Sequence, residues 1–266
     1  FVDADKNLWC VSGRRLTYYR FAEQRKYTMT LSKSPCQVVC RNGRAYSLSL
    51  QGELFRLDPF SGTSLYISQI PASQYKLMSM YVDLHGQLWV YGEYVLGVFR
   101  LKLDEDVNGK EVLEKVNDDN VLAMAEDREG NQWWGTNSDG IIVRRIDGSI
   151  LHLLHEDQQN ASLPSNHISS LLIEDGLLWV GTSKVGVAMA RLGGFRFSVV
   201  STPFREDIGF MAQDAQGKLW IGYDGKGMLR MANDGQVSPI YNMDNSVLAS
   251  NLVTGGRLAQ DGNLYI

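Results

Sequence analysis

Apolar and polar residues alternate along this chain in short runs, and each run keeps a fixed distance from a glycine. In Asp127-Arg-Glu-Gly130-Asn-Gln-Trp133-Trp134-Gly135-Thr136 a polar turn leads into an apolar, aromatic strand. The pattern returns as Asp83-Leu-His-Gly86-Gln-Leu-Trp89-Val90 and as Asp214-Ala-Gln-Gly217-Lys-Leu-Trp220-Ile221-Gly222. Glu174-Asp175-Gly176-Leu-Leu-Trp179-Val180-Gly181-Thr182 is a shortened form. Weaker copies are Asp3 to Trp9, Asn42-Gly43-Arg-Ala-Tyr46 and Asp261-Gly262-Asn-Leu-Tyr265. The aromatic positions 9, 46, 89, 133, 179, 220 and 265 are separated by 37, 43, 44, 46, 41 and 45 residues. A glycine stands three residues before the aromatic in six of the seven copies, with Lys6 the exception. It supplies the positive φ that a hairpin turn needs, so each copy predicts a strand, a turn and a second strand.

A period of 41 to 46 residues is what four short strands and their turns occupy, which is the repeat length of a propeller blade. The expected fold is all-β: a β-propeller of four-stranded blades, seven of them, with the last incomplete. A single propeller over residues 1–266 is expected, with blades near 1–34, 35–75, 76–118, 119–160, 161–202, 203–246 and 247–266. In the second blade the strands are expected at residues 37–40, 45–50 and 54–57, and in the sixth the outer strand at 237–241. The acid-rich stretch 104–120 reads as a solvated outer loop and edge strand, since charge on an edge discourages pairing with other chains.

All six tryptophans lie on the repeated strand. Burying one removes about 150 to 250 Å² from water, an upper bound of about 4 to 6 kcal/mol at about 25 cal/mol per Å². Trp9, Trp89, Trp133, Trp179 and Trp220 are therefore assigned to packing between neighbouring blades, and Gly86, Gly130 and Gly217 to the turns that precede them.

Composition removes several function classes. The net charge is −4, from 26 basic and 30 acidic residues well mixed, so no basic stripe awaits a nucleic acid. The apolar runs are strand-sized, below the roughly 18 residues that span a bilayer, and no signal peptide opens the chain. The pattern starts partway through one unit and stops partway through another. The expectation is a segment of a longer multidomain sensor, attached to any membrane only through parts outside it. Cys10, Cys36 and Cys40 are too few for a disulfide framework. His85, His152, His155 and His167 fall on different parts of the repeat, so no histidine metal site is expected. No catalytic residue and no cofactor is assigned.

The copies resemble the two-component regulator propeller repeats of hybrid sensor kinases. The match is carried by Ala125-Glu126-Asp127 through Thr136, by Leu177 through Gly186, and by the lead-in Ser162-Leu163-Pro164-Ser165-Asn166-His167-Ile168. That lead-in returns as Leu248-Ala-Ser250-Asn251-Leu-Val253, 85 residues later. The resemblance implies a periplasmic portion of an inner-membrane receptor that senses glycan-derived oligosaccharides and signals to a cytoplasmic histidine kinase and transcriptional output. It also implies partners: an oligosaccharide ligand, a neighbouring propeller and a β-sandwich of the same chain, and a second receptor copy in a homodimer.

In a propeller, ligands meet the loops between strands two and three and the loops joining blades. The repeat places Arg14, Tyr94, Asn137, Asp139, Lys184, Tyr223 and Asp224 in the first set and His167 in the second; Arg15, Glu93, Ser183 and Lys226 also fall in the first. These residues vary while the opposite turn stays fixed, as on a scaffold with a variable rim. Aromatic, amide and charged groups together suit a sugar, including an acidic or sulfated one. Two rival readings stand: a lyase or lactonase-type propeller enzyme, which needs His, Glu or Asp clustered at a central channel, and an assembly module that binds no small molecule. Asn166 and Asn251 are expected to hydrogen-bond their own turns.

Overall fold

The computed structural model describes residues 7–41, 44–74, 78–104, 110–157, 159, 161–214, 216–232, 236–258 and 264–266. Asp3, the turns expected at Asn42-Gly43 and Asp261-Gly262, and Gly109 lie outside these residues. The only helical segment among those described is a 3-10 turn at Phe21–Glu23, and no helix is long and apolar enough to cross a membrane. The chain divides into two units, Phe1–Val121 and Leu122–Ile266.

The first unit holds three antiparallel sheets whose strands run in chain order. They are β1 (Leu8–Ser12), β2 (Arg15–Arg20) and β3 (Arg25–Thr30); β4 (Pro35–Arg41), β5 (Arg44–Ser49), β6 (Glu53–Asp58) and β7 (Thr63–Gln69); and β8 (Met78–Val82), β9 (Leu88–Gly92), β10 (Val98–Asp104) and β11 (Lys110–Asn117). The second unit continues the same way. Its sheets are β12 (Val121–Glu126), β13 (Gln132–Thr136), β14 (Ile141–Arg144) and β15 (Ile150–Leu153); β16 (Ile168–Glu174), β17 (Leu177–Thr182), β18 (Gly186–Arg191) and β19 (Ser198–Val200); β20 (Ile208–Gln213), β21 (Leu219–Tyr223) and β22 (Gly227–Met231); and the pair β23 (Arg257–Leu258) and β24 (Leu264–Tyr265).

The aspartate that opens each long copy of the motif organises its turn. Asp127 Oδ1 accepts the backbone N–H groups of Glu129 (3.0 Å) and Asn131 (2.9 Å), while Oδ2 accepts the indole N–H of Trp133 (3.0 Å). Asp83 does the same for His85, Gln87 and Trp89, and Asp214 for Gln216, Lys218 and Trp220. Gly86, Gly130 and Gly217 have φ of 73°, 86° and 75°, a region that L side chains rarely enter. One carboxylate thus closes the turn and fixes the indole six residues on. In the shortened copy position 173 is Ile, and the buried Trp179 indole N–H finds no partner.

Neighbouring sheets within a unit pack through the strands that carry the aromatics. Trp9 joins Ala45, Phe55 and Leu57 of the next sheet, and Tyr46 joins Met78, Met80 and Leu88. Trp133 packs with Ile168, Leu178 and Val180, and Trp179 with Ile208, Met211 and Ile221. Trp220 is only half-buried, against Phe210, Met228 and Val253. The glycine two residues after Trp133, Trp179 and Trp220 makes room for this packing. A Cβ on Gly135 would stand 2.6 Å from Ile168 Cγ2, on Gly181 2.7 Å from Ile208 Cβ, and on Gly222 2.5 Å from Val253 Cγ1. The absent side chain lets a β-branched residue, Ile168 or Ile208 of the following sheet or Val253 of the link after β22, reach the strand backbone.

Three expectations need correction. The second sheet has a fourth strand, β7, which carries no glycine-aromatic mark. The acid-rich stretch is not wholly solvated: Glu111 on β11 is 5% exposed, accepts from Tyr46 Oη, and pairs with Arg44 (3.2 Å) and Arg56 (3.1 Å) of the neighbouring sheet. Residues 237–241 form no continuous strand but two isolated bridges, Met231 to Val237 and Met228 to Tyr241. Pro239 between them has no N–H to give; the Arg230 carbonyl accepts the Ser238 N–H at 2.8 Å, and the Ser238 hydroxyl accepts the Arg230 N–H at 2.9 Å.

Candidate ligand-binding site

In the second unit the hairpins β13–β14, β17–β18 and β21–β22 are tied to the links that join successive sheets. Gly140 N–H donates to the Asn166 carbonyl at 3.0 Å, and Gly227 N–H to the Asn251 carbonyl at 2.7 Å. The side chains of those asparagines repeat a second bond: Asn166 Oδ1 accepts from His155 N (2.7 Å) and Asn251 Oδ1 from Met243 N (2.8 Å). Each therefore clamps the loop before it rather than its own turn. Between them, Ser183 N–H reaches the His167 carbonyl (3.3 Å), Ser183 Oγ donates to Asp207 Oδ1 (2.7 Å), and Asp224 N–H donates to the Asp207 carbonyl (3.0 Å).

At the far end of this series lies a pocket of about 460 Å³, lined among others by Phe204, Lys226, Ile240, Asn242, Asn245 and Asn251. Its lining combines apolar side chains with amides and one ammonium. Lys226 Nζ lies 3.4 Å from Glu206, both side chains well exposed, so the pair is a weak one.

The predicted rim residues separate. Asp139, Lys184 and Asp224 are exposed on the three hairpins, and Asn137 and His167 are half-buried beside them. Lys184 holds φ at 62°, in the left-handed region. Tyr223 belongs to the core instead: it is fully buried, with its ring 5.2 Å edge-on from Phe204. Burial pushes its phenol up to about 12. The Tyr223 hydroxyl lies beside Thr202, whose own proton goes to the Phe204 carbonyl at 3.1 Å, and it makes no hydrogen bond of good geometry. In the first unit Arg14 is exposed and its Nε donates to the Leu31 carbonyl at 2.8 Å, and the Tyr94 carbonyl accepts the Ser73 N–H at 2.9 Å. Phe204, Ile240, Asn242 and Asn245 were not anticipated. The signal was the density of asparagines in the link 242–251, read only at Asn251.

Among the described residues no three His, Cys, Asp or Glu side chains gather as metal ligands would. His155 is occupied locally, with Nδ1 2.5 Å from the Leu163 carbonyl and Nε2 3.1 Å from Asp157.

Residues 162–184, which run from the lead-in through β17, match the family model for the two component regulator propeller. That segment resembles a two component regulator propeller repeat. The repeat contains the clamp residue Asn166, Ile168 and the Trp179-Val180-Gly181 strand.

Solved structures share the fold. The extracellular domain of a protein described as a hybrid two component system in B. thetaiotaomicron aligns with a TM-score of 0.52 at 20% identity, over 97% of this chain and 35% of that one. The extracellular domain of another protein of that organism, described as a one component system, gives 0.50 at 18% identity, over 98% and 37%. The virginiamycin B lyase of Staphylococcus aureus gives 0.63 at 11% identity, over 90% and 81%. The chain thus spans little more than a third of the two extracellular domains. No curated protein matches it in sequence. With its antiparallel sheets of up to four strands, the chain has the all-β, propeller-like fold of these structures, and residues 162–184 are similar to a two component regulator propeller.

Proposed function

We propose that residues 1–266 form one sensory propeller of a hybrid two component receptor, displayed on the periplasmic side of an inner membrane that it reaches through other segments. On this reading it catalyses no reaction. It binds a glycan-derived oligosaccharide on the hairpin-and-link face, or relays that binding to a cytoplasmic histidine kinase and its transcriptional output. The observation that carries the reading is the match at residues 162–184, because the repeat supplies the loops of that face. The extracellular domains that share its fold support the location. A neighbouring propeller, a β-sandwich and a second receptor copy are the proposed partners, since ligand contacts must shift an arrangement of domains to signal.

The test is a panel of oligosaccharides applied to the longer receptor, scored by binding to its ectodomain and by induction of its target genes. Binding and induction by one glycan class is expected; a panel in which nothing binds and nothing induces contradicts the reading. The likeness to the lyase favours a second reading, a propeller enzyme. Turnover of virginiamycin B by the purified chain would establish it.

A further inference from the structure

Hydrogen-bond accounting at the pocket beside Lys226 specifies what it can hold. Asparagine amides offer both donors and acceptors, and here each amide oxygen already accepts at least one backbone N–H. Asn242 Oδ1 receives the N–H groups of Asp244 (2.9 Å) and Asn245 (3.2 Å), Asn245 Oδ1 that of Asn242 (2.9 Å), and Asn251 Oδ1 that of Met243 (2.8 Å). These bonds also settle which end of each amide is oxygen, since an NH₂ cannot accept from a backbone N–H. The Asn245 NH₂ is used on the Ile240 carbonyl (2.8 Å). The carbonyls of Phe204, Pro239, Asn242 and Asn251 already accept from Thr202, Ser238, Ser246 and Gly227.

What remains uncommitted is donor capacity: the NH₂ groups of Asn242 and Asn251, and the Lys226 ammonium, which has three protons and one weak partner in Glu206. Among the described residues that line the pocket none is a carboxylate; Glu206 stands beside Lys226, and Phe204, Pro239 and Ile240 supply apolar surface. Its volume, about 460 Å³, lies within the roughly 300 to 1,000 Å³ of small-ligand sites.

We propose that this pocket binds an anionic saccharide, with the carboxylate or sulfate of the sugar on Lys226 and the Asn242 and Asn251 amides, and the ring against Phe204 and Ile240. The proposal rests on the sensory reading above and names the ligand class for it. Neutral sugars present hydroxyls that both give and accept, whereas the free groups of this lining named above are donors. An anion only accepts, and its bonds to a cation and amides are charge-assisted.

The test is calorimetry on the whole chain with three probes: a galacturonate trisaccharide, a sulfated disaccharide, and a neutral galactose trisaccharide. One charged probe is expected to bind at least about tenfold more tightly than the neutral one, as one charge-assisted bond confers, and more weakly as salt is raised. Which charged probe binds distinguishes carboxylate from sulfate. Lys226→Ala removes the cation. Asn242→Asp and Asn251→Asp keep the oxygen that accepts the backbone N–H and replace the donor with a negative oxygen, so the loops stay folded while the anion is repelled. Each is expected to lose about tenfold or more in affinity, with an unchanged melting temperature. Equal binding of the neutral probe, or charged binding that survives all three substitutions, overturns the anionic assignment and leaves the sensory reading intact. Binding of no probe overturns the assignment too, and gene induction in the longer receptor then decides the sensory reading separately.

Discussion

The carboxylate of Asp127 receives the indole N–H of Trp133 at 3.0 Å, across the turn that separates them. Both groups are buried, and the other carboxylate oxygen holds two backbone amides of the same turn. Asp127→Ala would orphan these three donors, and also the Asn131 side-chain NH₂ that donates to Oδ2 at 2.9 Å. At about 1–3 kcal/mol for each buried donor left unpaired, offset by water reaching the turn, a net loss of about 2–4 kcal/mol is expected. Urea unfolding of the two proteins measures it, and a loss under about 0.5 kcal/mol would contradict the role.

Trp179 provides the control, because its indole N–H is buried with no acceptor. Trp133→Phe and Trp179→Phe remove similar volume, but only the first breaks a hydrogen bond. Trp133→Phe is expected to cost about 1 kcal/mol more than Trp179→Phe. Equal losses would mean that the aspartate bond adds nothing to packing.

Gly135 and Ile168 test the close approach of adjacent sheets. Gly135→Ala places a methyl 2.6 Å from Ile168 Cγ2 and is expected to destabilise by about 1–3 kcal/mol. Adding Ile168→Ala removes the obstructing atom, so the double variant should lose less than the two single losses combined. Strict additivity in a double-mutant cycle would place the strain elsewhere.

Tyr223 predicts a pH dependence. Its phenol titrates at about 12 when folded and at about 10 when unfolded. The stabilisation from keeping it neutral is fully present below about 10 and is lost as pH rises toward about 12. Tyr223→Phe should be near neutral in stability at pH 7, because it removes a hydroxyl that makes no hydrogen bond of good geometry, and should flatten the decline between about 10 and 12 relative to the parent. Denaturant melts across that range test both points.

How much of this was legible in sequence follows from which forces act locally. The glycine and tryptophan spacings report turn conformation and strand alternation, which are properties of a few adjacent residues, so the β-strands and their order could be read. The aspartate-indole bond was visible in principle as a constant separation of six residues, yet the motif was read for its glycine alone. Strand β7 was missed because Thr63–Gln69 carries no punctuating motif and pairs only at the sheet edge. The burial of Glu111 depends on Arg44, Arg56 and Tyr46, more than fifty residues away, and no local pattern encodes it. Tyr223 was placed on the rim by repeat position, but it ends β21 and turns inward to Phe204. The pocket arises from asparagine side chains bonding backbone within the link 242–251, a conformation that composition signals only weakly.

Hydrogen–deuterium exchange of the whole chain, with and without the saccharide panel, tests the central claim most directly, because it reports where a ligand sits. The account predicts that a binding saccharide slows exchange in residues 224–227 and 242–251 and leaves the turns opened by Asp83, Asp127 and Asp214 unchanged. Protection at those turns, or none anywhere with any saccharide, would contradict it.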